Sequence, residues 1–302
     1  MRFNVNWVLS ISLIITPIST LAQQSFLFAF GDSYTTDGFD ITAGINSTAT
    51  NFTSSNGPNW ADFLTNTYNT SETKLFNLGS GGATIDSELV VPFAPTVKSI
   101  VDQVAQFKEF LAPKPFGAKW SSNNSLFAFW IGINDVGNSF NWTNVTQVGF
   151  HQVLMTRLFG QVEELYKEGA RSFVFLSVPP TNRAPLLLVQ GPEIVAQIAS
   201  SIADYNAQLI ESVNEFAAKH RDVKAITFDT QPVFNALLDQ ADVFGYVNVT
   251  GFCEAYQDGT PELSTQIEPC APVSNYFWLN TLHPLFTVHD AVSRGITKAL
   301  KA

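Results

Sequence analysis

The chain contains a serine and a histidine in settings that suit nucleophilic catalysis. Ser33 belongs to a GDSY segment (31–34) that directly follows an apolar run, and His283 belongs to an NTLHP segment (280–284). A serine hydroxyl is a weak nucleophile until a neighbouring base removes its proton. Neutral imidazole can act as that base near physiological pH. Taken singly, Ser33 also suits a turn or a helix cap, and His283 a hydrogen-bonded packing role.

Two further polar turns supply groups that can stabilise negative charge on an ester oxygen. Gly81 and Gly82 follow a second apolar run, and glycine lets a backbone N–H approach an anion closely. Asn134 follows a third apolar run, and its amide can donate to a developing oxyanion. Taken singly, the glycines suit a tight turn and Asn134 suits an Asx turn. Together with Ser33 and His283, these groups predict an acyl-transfer site.

The other histidines and the cysteines fit this chemistry less well. His289 is a rival base, but it falls inside the predicted last helix. His220 lies at the end of another predicted helix, where positive charge is favourable. The two cysteines and four histidines show no zinc-site spacing. We therefore predict neither a metal nor a cofactor.

Short apolar runs alternate with helical patterns along the chain. The runs are rich in Phe, Val and Ile and nearly continuous, as in strands covered on both faces. They span residues 25–30, 75–78, 125–131, 172–178 and 223–228. The helical patterns span residues 99–111, 148–168, 192–219 and the end of the chain from about 287. This alternation predicts a single α/β domain over residues 23–302, built as a three-layer α/β/α sandwich around a mostly parallel, roughly five-stranded sheet.

The predicted sheet also says where the polar turns should lie. Ligand sites in open parallel sheets are found at the carboxyl ends of the strands. Ser33, Gly81 and Asn134 each follow a predicted strand directly or within a few residues. We therefore expect the three turns to meet at one edge of the sheet.

Composition narrows the range of partners. The chain has 26 Asp and Glu against 16 Lys and Arg, a formal net charge of −10. Such a surface repels nucleic-acid phosphates and anionic membranes, so we expect neither as a partner. With 45% hydrophobic and 14% charged residues, the chain can build a full core and does not have the composition of a disordered segment.

The first 22 residues have the pattern of a secretory signal peptide. Arg2 precedes an apolar run over residues 7–15, and Thr20-Leu21-Ala22 is a small-residue cleavage pattern. The alternative, a membrane anchor, is disfavoured because the run is too short to span a bilayer. Cleavage after Ala22 would deliver an extracellular protein.

Two features beyond residue 22 agree with export. Seven asparagines begin N-x-S/T sequons, which predicts a glycoprotein with these residues on the surface. They are Asn46, Asn51, Asn69, Asn123, Asn141, Asn144 and Asn248. Cys253 and Cys270 are expected to form a disulfide in an oxidising compartment, with two free thiols as the alternative.

The polar turns together resemble the sequence blocks of the GDSL or SGNH serine hydrolases. The blocks are FGDSYTTD (30–37), NLGSGGAT (77–84), GIND (132–135) and NTLHP (280–284). Their order and spacing cover nearly the whole chain after residue 22. Within the family, the chain is most similar to secreted fungal acetylesterases of carbohydrate esterase family sixteen.

This resemblance implies a role for each residue. Ser33 corresponds to the nucleophile, and His283 to the general base that later acts as the acid. The backbone N–H groups of Ser33 and Gly81 and the amide of Asn134 correspond to the oxyanion hole. Gly81 is preferred to Gly82 because it directly follows Ser80, as the oxyanion glycine does in the family block.

Asn280 departs from the family pattern, which has Asp three residues before the histidine. In a Ser-His-Asp triad the Asp orients the imidazole and stabilises the imidazolium, and its replacement by Asn lowers turnover by about 10⁴. Three possibilities follow: a working Ser-His pair with Asn280 as a neutral orienter, an acid supplied from elsewhere, or a weakened enzyme. The first is favoured because every other block is intact.

The resemblance implies a secreted serine esterase that removes acetyl or other short acyl groups from carbohydrate, such as hemicellulose-derived oligosaccharides, through an acyl-enzyme. One alternative is a lipid esterase such as a lysophospholipase, which needs a long apolar acyl groove or an apolar lid. Another is a secreted carbohydrate-binding protein with a dead site, for which Asn280 is the support. Four tryptophans near the motifs could offer faces for a sugar, although core packing is favoured for Trp130. They are Trp60, Trp130, Trp142 and Trp278.

Overall fold

A computed structural model describes residues 24–69 and 71–301, so the predicted signal peptide lies outside the described residues. Five strands form one sheet. They are β1 (Ser25–Gly31), β2 (Thr73–Asn77), β3 (Ser125–Trp130), β4 (Ser172–Leu176) and β5 (Lys224–Phe228). All five predicted strands are confirmed, each with ends within two residues of the prediction.

The sheet is parallel throughout, with strand order β2-β1-β3-β4-β5. The order reverses direction between β1 and β3. In open α/β sheets a crevice forms outside the carboxyl ends of the strands at such a switch point. Ser33 follows β1 and Asn134 follows β3, so the sheet topology places these two residues on either side of that crevice.

Eight α-helices of four or more residues occur in the described part of the chain. They are α1 (Trp60–Asn66), α2 (Ile100–Gln106), α3 (Ile133–Ser139), α4 (Gln147–Lys167), α5 (Pro185–Leu188), α6 (Pro192–Lys219), α7 (Gln231–Asp239) and α8 (Phe286–Lys301). The three long helices α4, α6 and α8 match the sequence prediction. Helix α2 ends earlier than predicted and continues as a π-helical turn over Phe107–Leu111. Helices α1, α3, α5 and α7 were not predicted, because segments of four to nine residues are too short to show a clear 3.6-residue period.

Alternate strand residues face opposite sides of the sheet and meet different helices. On one side, Phe28 packs against Phe107, next to α2, and Phe175 packs against Phe159 of α4. On the other side, Trp130 packs against Trp60 of α1 and Phe234 of α7. The sheet is therefore covered on both faces, which confirms the three-layer α/β/α sandwich. Each fully buried side chain of this size contributes about 1.5–3 kcal/mol to folding.

This packing corrects the expectation that Trp60 and Trp278 could offer faces to a sugar. Trp60, Trp130 and Trp278 are at most 1% exposed and belong to the core. Trp142 is partly buried and packs against Phe150 of α4. The favoured core role of Trp130 is thus confirmed, and the same role holds for Trp60 and Trp278. No helix in residues 24–69 and 71–301 is long and apolar enough to cross a membrane.

Candidate active site

The ends of β1 and β2 bring Ser33 and Gly81 together. The N–H of Ser80 donates to the carbonyl oxygen of Gly31, with a donor–acceptor distance of 3.0 Å, and so joins the two turns. A Cβ placed on Gly81 would lie 4.0 Å from Cβ of Ser33. Gly82 has a φ of +82°, and its Cβ would lie 2.4 Å from Cβ of Phe93. Gly81 therefore contacts the Ser33 turn, whereas Gly82 faces away towards Phe93, and this geometry favours Gly81 as the oxyanion glycine.

The end of β3 joins the same cluster through α3. Asn134 lies in the first turn of α3, and its side-chain amide donates to the carbonyl oxygen of Ala83 at 2.8 Å. Asp135 accepts a hydrogen bond at 3.0 Å from the N–H of Ile85. Both bonds tie the turn after β3 to the segment that follows Gly81. The predicted convergence of the three polar turns is confirmed.

Three hydrogen-bond donors at this edge are available to a ligand. The backbone N–H groups of Ser33 and Gly81 donate to no acceptor within residues 24–69 and 71–301. An amide side chain has two N–H donors, and Asn134 uses one of them on Ala83. Such an arrangement of unsatisfied N–H groups next to a serine hydroxyl can bind the oxyanion of a tetrahedral intermediate.

His283 approaches Ser33 from the far end of the chain. Its Nε2 lies 2.8 Å from Oγ of Ser33, although 250 positions separate the two residues. Its Nδ1 lies 3.0 Å from Oδ1 of Asn280. These are hydrogen-bond distances, and they place Ser33 as a nucleophile beside the base His283, whose ring Asn280 orients.

The hydrogen bonds of Asn280 define the tautomer of His283. Oδ1 of Asn280 accepts the backbone N–H groups of Leu282 and His283, at 3.1 and 3.0 Å. An atom that accepts these donors must be the amide oxygen, so Nδ1 of His283 carries the proton directed at it. Nε2 is then left with a lone pair directed at the Ser33 hydroxyl. This is the geometry that a neutral orienter at position 280 requires.

Desolvation lowers the pKa of the His283 imidazole to about 4. No carboxylate of the described residues forms an ion pair with this ring. The imidazole is therefore neutral, and able to accept a proton, down to mildly acidic pH.

Tyr34 joins the two halves of the site and was not identified from the sequence. Its hydroxyl donates to the carbonyl oxygen of Leu282 at 2.7 Å. Its ring centroid lies 5.7 Å from that of His283. The residue next to Ser33 thus holds the turn that carries the base. A hydrogen bond between residues 248 positions apart leaves no local sequence signal.

Comparison with known proteins agrees with this geometry. Residues 27–284 match the family model described as GDSL-like lipase/acylhydrolase. A protein named acetylesterase from Thermothelomyces thermophilus is 36% identical over 289 residues, which cover 92% of this chain and 89% of that protein. The chain belongs to the GDSL family. It is a carboxylic ester hydrolase.

Solved structures show the same fold for this GDSL hydrolase. An alpha/beta hydrolase enzyme from the metagenome of Lake Arreo superposes with a TM-score of 0.50 at 17% identity, covering 92% of this chain and 95% of the other. A Geobacillus acetyl-xylooligosaccharide esterase also gives a TM-score of 0.50, at 13% identity, with 92% and 94% covered. At these identities the likeness concerns the fold alone.

The other histidines of the GDSL hydrolase lie outside this cluster. His289 is buried in α8, where its ring is 5.9 Å from the rings of both Tyr34 and Trp130. Its Nδ1 has no partner among the described residues. Burial, and to a lesser degree the nearby His283, lowers the pKa of His289 to about 3. His220 follows α6 and contacts Glu163 at 2.8 Å.

Two buried carboxyl groups support the turns of the GDSL site. Oδ1 of Asp32 accepts the N–H of Tyr34 at 2.9 Å, and Asp135 holds Ile85 as described above. The second oxygen of each carboxyl has no partner in the described part of the chain. Burial raises the pKa of Asp32 and that of Asp135 to about 7. Neither group contacts Ser33 or His283 through a hydrogen bond, so their role is to shape the backbone.

The structure also places the two cysteines and the sequon asparagines. Cys253 and Cys270 form a disulfide with an Sγ–Sγ distance of 2.04 Å, as predicted. The sequon asparagines are exposed except Asn248, which is partly buried and accepts hydrogen bonds from the N–H groups of Thr250 and Gly251. Among the described residues, no group of three or more His, Cys, Asp and Glu is placed to hold a metal ion.

Proposed function

We propose that this GDSL hydrolase is a secreted serine esterase that removes acetyl or other short acyl groups from carbohydrate. The observation that carries the proposal is the continuous contact from Ser33 through His283 to Asn280, beside free N–H donors at Ser33 and Gly81. Nucleophile, base and oxyanion donors are the groups that acyl transfer needs.

The proposed reaction begins when Oγ of Ser33 attacks the ester carbonyl while Nε2 of His283 takes the hydroxyl proton. The oxyanion of the tetrahedral intermediate accepts hydrogen bonds from the N–H groups of Ser33 and Gly81 and from the amide of Asn134. The C–O bond to the alcohol then breaks, and His283 gives its proton to the departing oxygen. This leaves an acyl group on Ser33.

Water completes the cycle. His283 removes a proton from the water molecule as its oxygen attacks the acyl carbonyl, and the same three donors stabilise the second oxyanion. The bond to Oγ of Ser33 breaks, the serine regains the proton from His283, and the carboxylic acid leaves. Atoms and protons balance without a metal or a cofactor.

In this proposal Asn280 orients the base without charge. Its oxygen fixes the ring and the tautomer of His283, as the Asn of Cys-His-Asn proteases does. The imidazolium that forms during the reaction then has no carboxylate beside it. The second possibility was an acid supplied from elsewhere. It would need a carboxylate beside the His283 ring, and none of the described residues places one there.

Support for an acetyl substrate comes from the relative at 36% identity that is named acetylesterase. Support for secretion comes from the signal-like first 22 residues, the disulfide and the exposure of six sequon asparagines. The carbohydrate part rests on the family resemblance and on the cleft described below.

A lipid esterase is the second candidate, and one observation favours it. Val91 and Phe93 are 77% and 87% exposed, and Phe93 packs beside Gly82 at the oxyanion side of the site. Exposed apolar side chains in this position could hold a longer acyl chain. Aryl esters from acetate to palmitate separate the two candidates: the acetylesterase loses activity beyond butyrate, and a lipid esterase gains it.

The direct test is acetate release from acetylated xylo-oligosaccharides, with the Ser33→Ala variant as the control. We expect release by the parent and none by the variant. Release from long-chain esters alone would replace the carbohydrate proposal with the lipid one. Failure of an organophosphonate to label Ser33 in the folded parent would show a dead site and favour the binding protein.

A further inference from the structure

A cleft of about 660 Å³ opens beside the candidate base. Two loop segments, residues 51–57 and 257–263, form its walls, and Asn280 and His283 line its floor. The second segment lies inside the loop that the Cys253–Cys270 disulfide closes. Ser33, Gly81 and Asn134 are not among the lining residues, so the cleft meets the site at His283 and Asn280 and not at the nucleophile or the oxyanion donors.

The proposed mechanism requires the alcohol half of the ester to lie beside His283. The general acid must lie within hydrogen-bond reach of the oxygen that leaves, and that oxygen belongs to the alcohol half of the ester. Because Nε2 of His283 is the proton donor, the alcohol must lie on the His283 side of Ser33. We infer that this cleft binds the alcohol half and that its chemistry selects an uncharged, polyhydroxylated alcohol, namely a mono- or disaccharide. The inference rests on the proposed serine-esterase mechanism.

The side chains of the cleft fit such a ligand. Ser54, Gln257 and Asp258 line the cleft with polar side chains, of which Gln257 and Asp258 are exposed and Ser54 is partly exposed, so they can meet hydroxyl groups of a ligand. Phe52, on the same wall as Ser54 and opposite Gln257 and Asp258, is 73% exposed, so its ring is accessible to the C–H side of a sugar. The volume lies in the range of about 300–1,000 Å³ that is usual for small-molecule sites.

The same side chains disfavour a phospholipid headgroup. No Lys or Arg lines the described cleft, and Asp258 is its one carboxylate. A phosphate in the cleft would be desolvated without a cation and would be repelled by Asp258. A neutral sugar meets neither penalty.

Contacts between the walls hold the cleft in shape before a ligand arrives. The side chain of Asn56 exchanges two hydrogen bonds with Thr260, at 2.8 and 2.7 Å. Gly57 has a φ of +151°, and a Cβ there would lie 2.7 Å from a methyl carbon of Leu263. The N–H of Phe286 donates to the carbonyl oxygen of Ser55 at 2.8 Å and anchors the first wall to α8. A site fixed in this way loses less entropy on binding than a mobile loop does.

The test compares two acetyl esters that differ only in the alcohol. Acetylated xylobiose fills the cleft, whereas 4-nitrophenyl acetate places a small ring there. We expect Phe52→Ala and Gln257→Ala to lower kcat/KM about tenfold more on acetylated xylobiose than on the aryl ester, mainly through KM, because ground-state binding is lost. Phe52→Ala keeps the Asn51 sequon, so glycosylation is matched.

Exposed residues outside the cleft provide the controls. Phe116 is 89% exposed and Gln240 is also exposed, and neither lines the cleft. Phe116→Ala and Gln240→Ala should leave the ratio of the two kcat/KM values unchanged. Free xylobiose should inhibit aryl acetate hydrolysis competitively, and about tenfold more weakly in the two cleft variants than in the parent.

The outcomes separate the inference from the proposed function. If the parent hydrolyses acetylated xylobiose but both cleft variants keep the parental ratio of the two kcat/KM values, the cleft is not the alcohol site and the esterase function stands. If the parent hydrolyses the aryl ester but no acetylated saccharide, and xylobiose does not inhibit it, the carbohydrate function and the alcohol site are both wrong.

Discussion

The two sides of Ser33 are built in different ways. On the oxyanion side, Gly81 and Asn134 follow β2 and β3 closely and are held by hydrogen bonds between neighbouring turns. On the base side, His283 and the cleft are carried by loops from two distant parts of the chain, which hydrogen bonds of Tyr34 and Asn56 join. A disulfide closes one of these loops. The difference indicates that the sheet fixes the groups that stabilise the reacting ester, whereas loops position the base and define the alcohol.

The two sides also differ in which groups anchor them. The side-chain amide of Gln103 in α2 accepts a hydrogen bond from the N–H of Gly31 and donates one to its carbonyl oxygen, each at 2.9 Å. These two hydrogen bonds anchor the end of β1 from the core. The base-side turn is held by the hydroxyl of Tyr34 and the amide oxygen of Asn280, together with backbone hydrogen bonds from the N–H groups of Leu186 and Leu279 to the carbonyl oxygens of Thr281 and His283. Substitutions on the base side should therefore change orientation and pH dependence without damage to the fold.

The largest effect is expected for the base itself. His283→Ala removes the group that accepts the Ser33 proton and should lower kcat by about 10⁴ or more. His289→Ala should keep most of the activity, because that ring contacts Tyr34 and Trp130 and not Ser33. It should lower the melting temperature, since it opens a cavity in the core. Steady-state rates and thermal unfolding of both variants check this, and equal losses of activity would remove the assignment of His283.

On the oxyanion side, Asn134→Ala should lower kcat by about 10²–10³, which corresponds to the loss of one donor to the oxyanion, about 2.7–4 kcal/mol. The bond to Ala83 is one of two between these segments, and the bond from Ile85 to Asp135 remains, so the fold should persist. Turnover and circular dichroism provide the measurement. A folded variant with parental turnover would show that Asn134 is structural.

A smaller effect is expected where the two sides are joined. Tyr34→Phe removes the hydrogen bond to Leu282 and should lower kcat by about two- to thirteenfold, the range of one net hydrogen bond of about 0.5–1.5 kcal/mol. KM should change little, because the alcohol cleft is intact. Tyr246→Phe is the matched control, since its hydroxyl bonds Thr287 and not the His283 turn. Equal kinetics for the two variants would contradict a positioning role for Tyr34.

The smallest effect on rate, and the most informative on mechanism, is expected for Asn280→Asp. With its pKa at about 4, His283 stays neutral in the parent down to about pH 5, so the acid limb of kcat/KM lies near pH 4. A carboxylate beside Nδ1 favours the imidazolium and should raise the pKa of His283 by about 1–3 units. The acid limb should move up by the same amount, while the rate near neutral pH should not fall.

Paired pH–rate profiles on an aryl acetate test this, with both proteins shown to be folded. An unmoved acid limb would mean that residue 280 does not control the imidazole. Activity found only in Asn280→Asp would mean that the parent is a binding protein.

The sequence by itself determined the sheet, the three polar turns and the candidate residues at their ends. Apolar runs such as 125–131 specify buried strands directly, because continuous hydrophobicity requires cover on both faces. Strand ends then place Ser33, Gly81 and Asn134 without knowledge of any distant contact. The short helices α1, α3 and α7 escaped this reasoning, since tertiary packing and not periodicity decides segments of that length.

The tertiary structure alone decided how the base is held and what surrounds it. Nothing local in the sequence shows that the hydroxyl of Tyr34 donates to Leu282 or that the side chain of Asn56 is hydrogen-bonded to Thr260. It likewise showed that Trp60 and Trp278 are core residues and that Phe52 is the exposed aromatic beside the base. Hydrophobic patterning specifies which segments are buried, but contacts between loops more than 200 residues apart depend on how the packed layers bring their ends together.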